Sequence, residues 1–84
     1  MVTLRAPLRR LADDRSHVEI EGATLAEVLG HLERAHPRLA GWVLDERGEV
    51  REHVNVFVNG ERGDVTVPVA ERDRVQIIQN ISGG

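Results

Sequence analysis

Only one stretch of this chain, Thr24–Ala35, has the pattern of a substantial helix, and that constrains the fold more than any other feature. Thr24-Leu25-Ala26-Glu27 is a capping box: the threonine oxygen caps an early helical N–H and the glutamate reaches back. Leu25, Val28, Leu29 and Leu32 then fall at i, i+3, i+4 and i+7, a single apolar stripe. Pro37 disfavours helical geometry at His36 and ends the helix there. One helix of this kind can cover one face of one sheet.

The remaining periodic segments read as strands. Val2–Ala6 alternates apolar and polar, and Pro7 ends its ladder or places it near an edge. Leu8–Ser16 reads as an exposed connection with Leu8 or Leu11 pinned to the core. His17–Glu21 alternates again, with Val18 and Ile20 on one face. Arg38–Leu44 has room for one or two helical turns, and Asp45–Glu49 is a charged loop. His53–Val58 is the clearest strand, with Val54, Val56 and Val58 on one face and Asn55 and Phe57 on the other. Asn59-Gly60 suits a tight type I′ turn, with a short return strand expected within Asp64–Val67. Pro68 and Glu71–Arg74 make another turn, and Val75–Ile78 is the last strand.

This order implies a two-layer α+β domain with a mixed sheet of four to five strands and one main helix on one face. The first and last strands are expected side by side at the sheet centre. The expected core is Leu25, Val28, Leu29, Leu32, Val54, Val56, Val58 and Ile77, which agree in phase. At 84 residues the chain is one domain, read as residues 1–78 followed by a tail over 79–84. It is expected to be a monomer when free.

Composition excludes several function classes. No cysteine is present, which removes disulfides, thiolate metal ligands and a thiol nucleophile. A net charge of -3 argues against nucleic acid as a partner. No apolar run approaches the ~20 residues of a membrane span, and Met1–Arg5 lacks a signal-peptide layout, so the cytoplasm is the expected location. The four histidines do not form the HExxH arrangement: His31 and His36 are five apart, and His17 and His53 precede strands. No metal site is therefore expected. There is no nucleophile elbow, Gly-rich phosphate loop or spaced carboxylate pair, so the chain is not expected to be an enzyme.

Two features carry chemistry instead. The sequence ends Gly83-Gly84 after a strand and a short extension. Two glycines without Cβ atoms can enter a narrow channel in a partner, and the terminal carboxylate is a reactive handle. Adenylation would turn one of its oxygens into part of a leaving group, and sulfur attack would then leave a thiocarboxylate. No ATP-binding motif is present, so activation must come from a partner. The second feature is a docking patch on the outer face of the sheet, formed by Phe57 and Ile78 and extended by Ile81 and Ser82 of the tail. Arg5 and Arg74 are candidates for steering a partner toward it. All eleven basic residues are arginine. Compositional bias accounts for this, but so does a chain that bears a reactive acyl group and gains from having no side-chain amine to attack it.

The capped helix, Val-Asn-Val-Phe-Val-Asn-Gly-Glu over 54–61, Asp73-Arg74-Val75 and the terminal Ile81-Ser82-Gly83-Gly84 together resemble the MoaD/ThiS family of ubiquitin-like sulfur carriers. Within that family the likeness is to CysO-like carriers, then to molybdopterin synthase small subunits. The resemblance covers nearly the whole chain. It implies a β-grasp fold, with adenylation of Gly84 by a ubiquitin-activating-enzyme-like adenylyltransferase and sulfurtransferase that uses ATP and Mg²⁺. A thiocarboxylate on Gly84 would then supply a sulfur-accepting synthase. The products made in this way include cysteine, molybdopterin, thiamine, thiolated tRNA and sulfur-containing natural products. The chain departs from the family pattern at Gln79-Asn80 and at Glu71-Arg72, which bears on the choice of partner. Two other functions fit the same residues: a ubiquitin-like modifier joined through Gly84 to target lysines, and a β-grasp interaction domain without acyl chemistry.

Overall fold

Thr24 caps the single α-helix of the described residues, α1 (Leu25–Ala35), and every early N–H of that helix has a partner. The Glu27 N–H donates to Thr24 Oγ1 (3.3 Å), and Glu27 Oε1 accepts from the Ala23 N–H (3.3 Å), which completes the capping box. The Leu25 and Ala26 N–H groups donate to the carbonyls of Val67 (2.9 Å) and Val65 (3.0 Å). The donors left over at a helix start are thus satisfied partly by its own cap and partly by a distant loop. Close approach at this end requires Gly22, because a Cβ there would lie 2.6 Å from the Val28 nitrogen.

The computed structural model describes residues 1–5 and 8–79. Its strands are β1 (Val2–Leu4), β2 (His17–Val18), β3 (Val54–Val58), β4 (Glu61–Arg62) and β5 (Val75–Gln79). They form one sheet in the order β2-β1-β5-β3-β4. The first and last strands are adjacent and parallel at its centre, with Val2 beside Val75 and Leu4 beside Ile77. The other pairings are antiparallel. Pro7, with its expected role at the end of the first ladder, lies outside the described residues.

All eight expected core residues are buried, in the phase their spacing implies. They are joined by Val2, Leu4, Leu8, Ala12, Leu39, Val43 and Val75. Three expectations need correction. The segment after β1 is more than an exposed connection: of the two leucines expected to pin it, Leu8 is fully buried and Leu11 packs at the margin, but Leu8–Ala12 is a 3-10 helix that buries Ala12 as well. The second strand is only His17–Val18, and His17 lies within it rather than before it. The return strand is Glu61–Arg62, not part of Asp64–Val67. A two-residue turn with Asn59 at φ 52 and Gly60 at φ 87 sets Glu61 opposite Val58 at once. The chain then turns away as Asp64 Oδ1 accepts from the Thr66 N–H (2.9 Å), leaving the Val65 and Val67 carbonyls for α1.

Candidate functional site

The central position of β5 decides where a C-terminal tail begins. The strand extends through Gln79, one residue into the segment expected as tail, and Gln79 pairs with Val54. The side chain of Gln79 is half-buried, and its Oε1 has no donor among the described residues. Asn80, Ile81, Ser82, Gly83 and Gly84 lie outside the described residues.

Alternation along β5 sends Val75 and Ile77 to the core and leaves Gln76 and Ile78 on the face away from α1. On β3, Asn55 and Phe57 share that open face. Ile78 lies directly opposite Asn55 and Phe57 opposite Gln76, so Phe57 and Ile78 are diagonal neighbours. An aromatic ring spans such a diagonal. Both side chains are half-buried rather than freely exposed, because the sheet's twist and neighbouring strands cover part of each.

The open face has arginines around this apolar centre. Arg62 sits across from Phe57 on β4, and Arg74 is exposed in the same alternating phase as Gln76 and Ile78. Arg5 is exposed just beyond β1, in phase with Thr3, which pairs with Gln76. The structure thus brings Phe57, Ile78, Arg5 and Arg74 to one face. It adds Arg62, whose place there depended on where β4 lies.

The Asn59 turn is tied to the start of β5. Asn59 Nδ2 donates to Asp73 Oδ1 (2.9 Å), and Asn59 Oδ1 accepts from the Arg74 N–H (2.9 Å). Asp73 Oδ2 also accepts from the Ala70 N–H (2.8 Å). That backbone donor, then the Asn59 amide, holds the Asp73 carboxyl below the ordinary carboxylate range. These ties pin the β3–β5 pairing at its Val58–Val75 end.

A second surface borders the end of β5. Trp42 is 48% exposed, the one large apolar side chain so exposed among the described residues. It shares a groove with Gly41, His53, Val54 and Gln79. Leu39 and Val43 are fully buried, while Trp42, in the turn between them, faces outward. Helical spacing would place residues 39, 42 and 43 on one face, so neither the exposure of Trp42 nor its proximity to Gln79 was visible in the sequence.

The histidines are dispersed. His31 Nδ1–H donates to the Glu21 carbonyl (2.6 Å), which makes it a tie between α1 and the preceding loop. His36 Nδ1 lies 4.0 Å from Asp13 Oδ2, His17 is exposed beside Ser16, and His53 is exposed. Among the described residues no group of three His, Asp or Glu side chains is placed to hold a metal ion. Also among these residues, no helix is long and apolar enough to cross a membrane.

Comparison with known proteins agrees with this geometry. The chain is 35% identical over 83 residues to small archaeal modifier protein 1 (SAMP1) of Haloferax volcanii, covering 96% of this chain and 95% of that protein. The crystal structure of that SAMP1 superposes with a TM-score of 0.84 at 34% identity, covering 99% of this chain and 96% of the other. A chain in the crystal structure of the BexX/CysO complex of Amycolatopsis orientalis gives a TM-score of 0.84 at 28% identity, with both chains fully covered. The fold is therefore the ubiquitin-like β-grasp. With residues 2–84 matching its pattern, the chain belongs to the ThiS family of ubiquitin-like carriers and modifiers.

Proposed function

We propose that this chain is a protein co-substrate for sulfur transfer, with the Gly84 carboxylate as its reactive group. In the first step a carboxylate oxygen attacks the α-phosphorus of ATP, the bond to pyrophosphate breaks, and an acyl adenylate forms on Gly84. Hydrosulfide, or an equivalent sulfur nucleophile, then attacks the acyl carbon and expels AMP. The product is a thiocarboxylate, and the sulfhydryl proton is released to solvent. ATP, Mg²⁺ and the acid–base groups belong to a separate adenylating enzyme, and a synthase accepts the sulfur. The chain itself supplies the carboxylate and a surface to grip.

The observation that carries this reading is the full-length match to the ThiS family in a chain whose sequence ends Gly83-Gly84, five residues beyond the central strand β5. Glycines at both final positions let an active site close around the reacting carbon without side-chain clash. Phe57 and Ile78 on the open face supply an apolar anchor, with Arg5, Arg62 and Arg74 steering.

The test is intact mass after incubation with the cognate adenylating enzyme, ATP, Mg²⁺ and sulfide. The chain is expected to gain the mass difference between sulfur and oxygen, and deletion of Gly84 is expected to abolish the gain while preserving the fold. The 35% identical relative is named a modifier, which favours a second reading in which the same adenylate ends as an isopeptide bond to lysine. Native chain found joined to target lysines and never as a thiocarboxylate would select that reading. Full biological activity after loss of Gly84 would exclude both.

A further inference from the structure

We infer that Trp42 is a docking anchor for the adenylating enzyme, on a surface separate from the Phe57–Ile78 face. The inference rests on the proposed adenylation of Gly84. Its starting point is reach. Only residues 80–84 separate Gln79 from the reacting carboxylate, and five residues span at most about 18 Å when fully extended. An active site that acts on Gly84 must therefore lie within that radius of the end of β5. A standard protein interface covers about 800 Å² on each partner, so its footprint extends over that end of the sheet. Trp42 lines the same groove as Gln79 and falls inside it.

The indole is displayed on a fastened loop. The Trp42 N–H donates to the Leu39 carbonyl (2.9 Å), and Leu39 is fully buried. Beyond it, Glu33 Oε2 on α1 accepts from the Val43 (3.2 Å) and Leu44 (3.1 Å) N–H groups. The Val43 carbonyl accepts from the Arg51 N–H (2.9 Å), which joins the loop to the segment leading into β3. Gly41, at φ 85, makes the turn that leaves the indole outside. Neighbouring Val43 is fully buried, so the loop cannot readily roll Trp42 inward without exposing Val43. A large aromatic held in place by ordered backbone loses little conformational freedom on binding, and tryptophan is the residue type most enriched among interface hot spots. The occupant is the adenylating enzyme, through an apolar pocket beside its entry channel for the tail.

The enzyme for the test is identified by ATP–pyrophosphate exchange that depends on the wild-type chain. If no fraction of the native cell supports such exchange, the proposed adenylation fails, and the anchor fails with it. With exchange established, Trp42→Ala is expected to raise the KM for the carrier about thirtyfold, the size of a hot-spot loss, while kcat stays within about twofold. Trp42→Phe is expected to recover most of it. An unchanged KM, or a fall in kcat alone, overturns the anchor while leaving the adenylation reading standing. Should Trp42→Ala fold poorly, the wild-type sequence answers the question, because its single tryptophan can be labelled as 5-fluorotryptophan. The one fluorine resonance is expected to shift and broaden on adding the enzyme, and a resonance unmoved at saturation overturns the inference.

Discussion

Asn59 and Asp73, fourteen residues apart, close the sheet at one end: the Asn59 amide donates to the Asp73 carboxylate at 2.9 Å, and its carbonyl oxygen accepts the Arg74 N–H. Asn59 also adopts a left-handed φ of 52, which asparagine tolerates better than most residues. Asn59→Ala removes both bonds and strains the turn, with an expected loss of about 1–3 kcal/mol. Asn59→Gly removes the bonds but relieves the backbone, so it should lose less. Urea unfolding of the two variants separates these contributions, and an equal loss in both would mean that the backbone conformation carries no cost.

The carboxyl of Asp73 gives this tie a pH dependence. Its pKa is lowered in the fold, first by the Ala70 N–H and then by the Asn59 amide. A group with a depressed folded pKa contributes stability that is present above its unfolded value of about 3.9 and lost as pH falls through the folded value. Asp45 and Asp64 are lowered too, chiefly by the Glu49 N–H and the Thr66 hydroxyl respectively, and act in the same direction. Thermal melts of the wild type should decline below about pH 4, and Asp73→Asn should flatten that decline. A slope unaltered by the substitution would remove Asp73 from the acid response.

Two glycines near α1 should respond in opposite senses to alanine. Gly30 lies within the helix with open space where a Cβ would go, so Gly30→Ala should stabilise by about 0.5–1 kcal/mol. Gly22→Ala would place its Cβ 2.6 Å from the Val28 nitrogen and 2.8 Å from its Cγ2. Moving the helix start to relieve this should cost about 1–3 kcal/mol. Differential scanning calorimetry of both variants checks the pair.

Val56 and Phe57 are adjacent in sequence and face opposite sides of the sheet. Val56→Ala should lose about 1–3 kcal/mol of stability through lost burial and a residual void, without altering the affinity of the folded fraction for a partner. Phe57→Ala should lower both, because the ring is half-buried, and should weaken docking to the adenylating enzyme by more than about 1 kcal/mol. Isothermal titration well below each variant's melting temperature distinguishes them, and full affinity in Phe57→Ala would confine that ring to a structural role.

Local rules were enough for much of this protein. The capping box at Thr24–Glu27, the stripe from Leu25 to Leu32, the valine alternation of β3 and the Asn59-Gly60 turn are settled by neighbours within four residues, through helical spacing, strand alternation and turn geometry. Together with the terminal glycines they also identified the family. Long-range packing decided the rest. The burial of Ala12, and of Leu8 rather than Leu11, depends on a 3-10 turn folding onto the core, which no local period announces. Val65 and Val67 have the alternation of a strand, yet their carbonyls serve the helix start, because unpaired N–H groups there need acceptors. The nearness of Trp42 to Gln79, thirty-seven positions later, exists only because β3 and β5 pair at Val54 and Gln79. Sequence spacing determines which face a residue takes, but which distant residues share a surface is decided by the order of strands in the sheet.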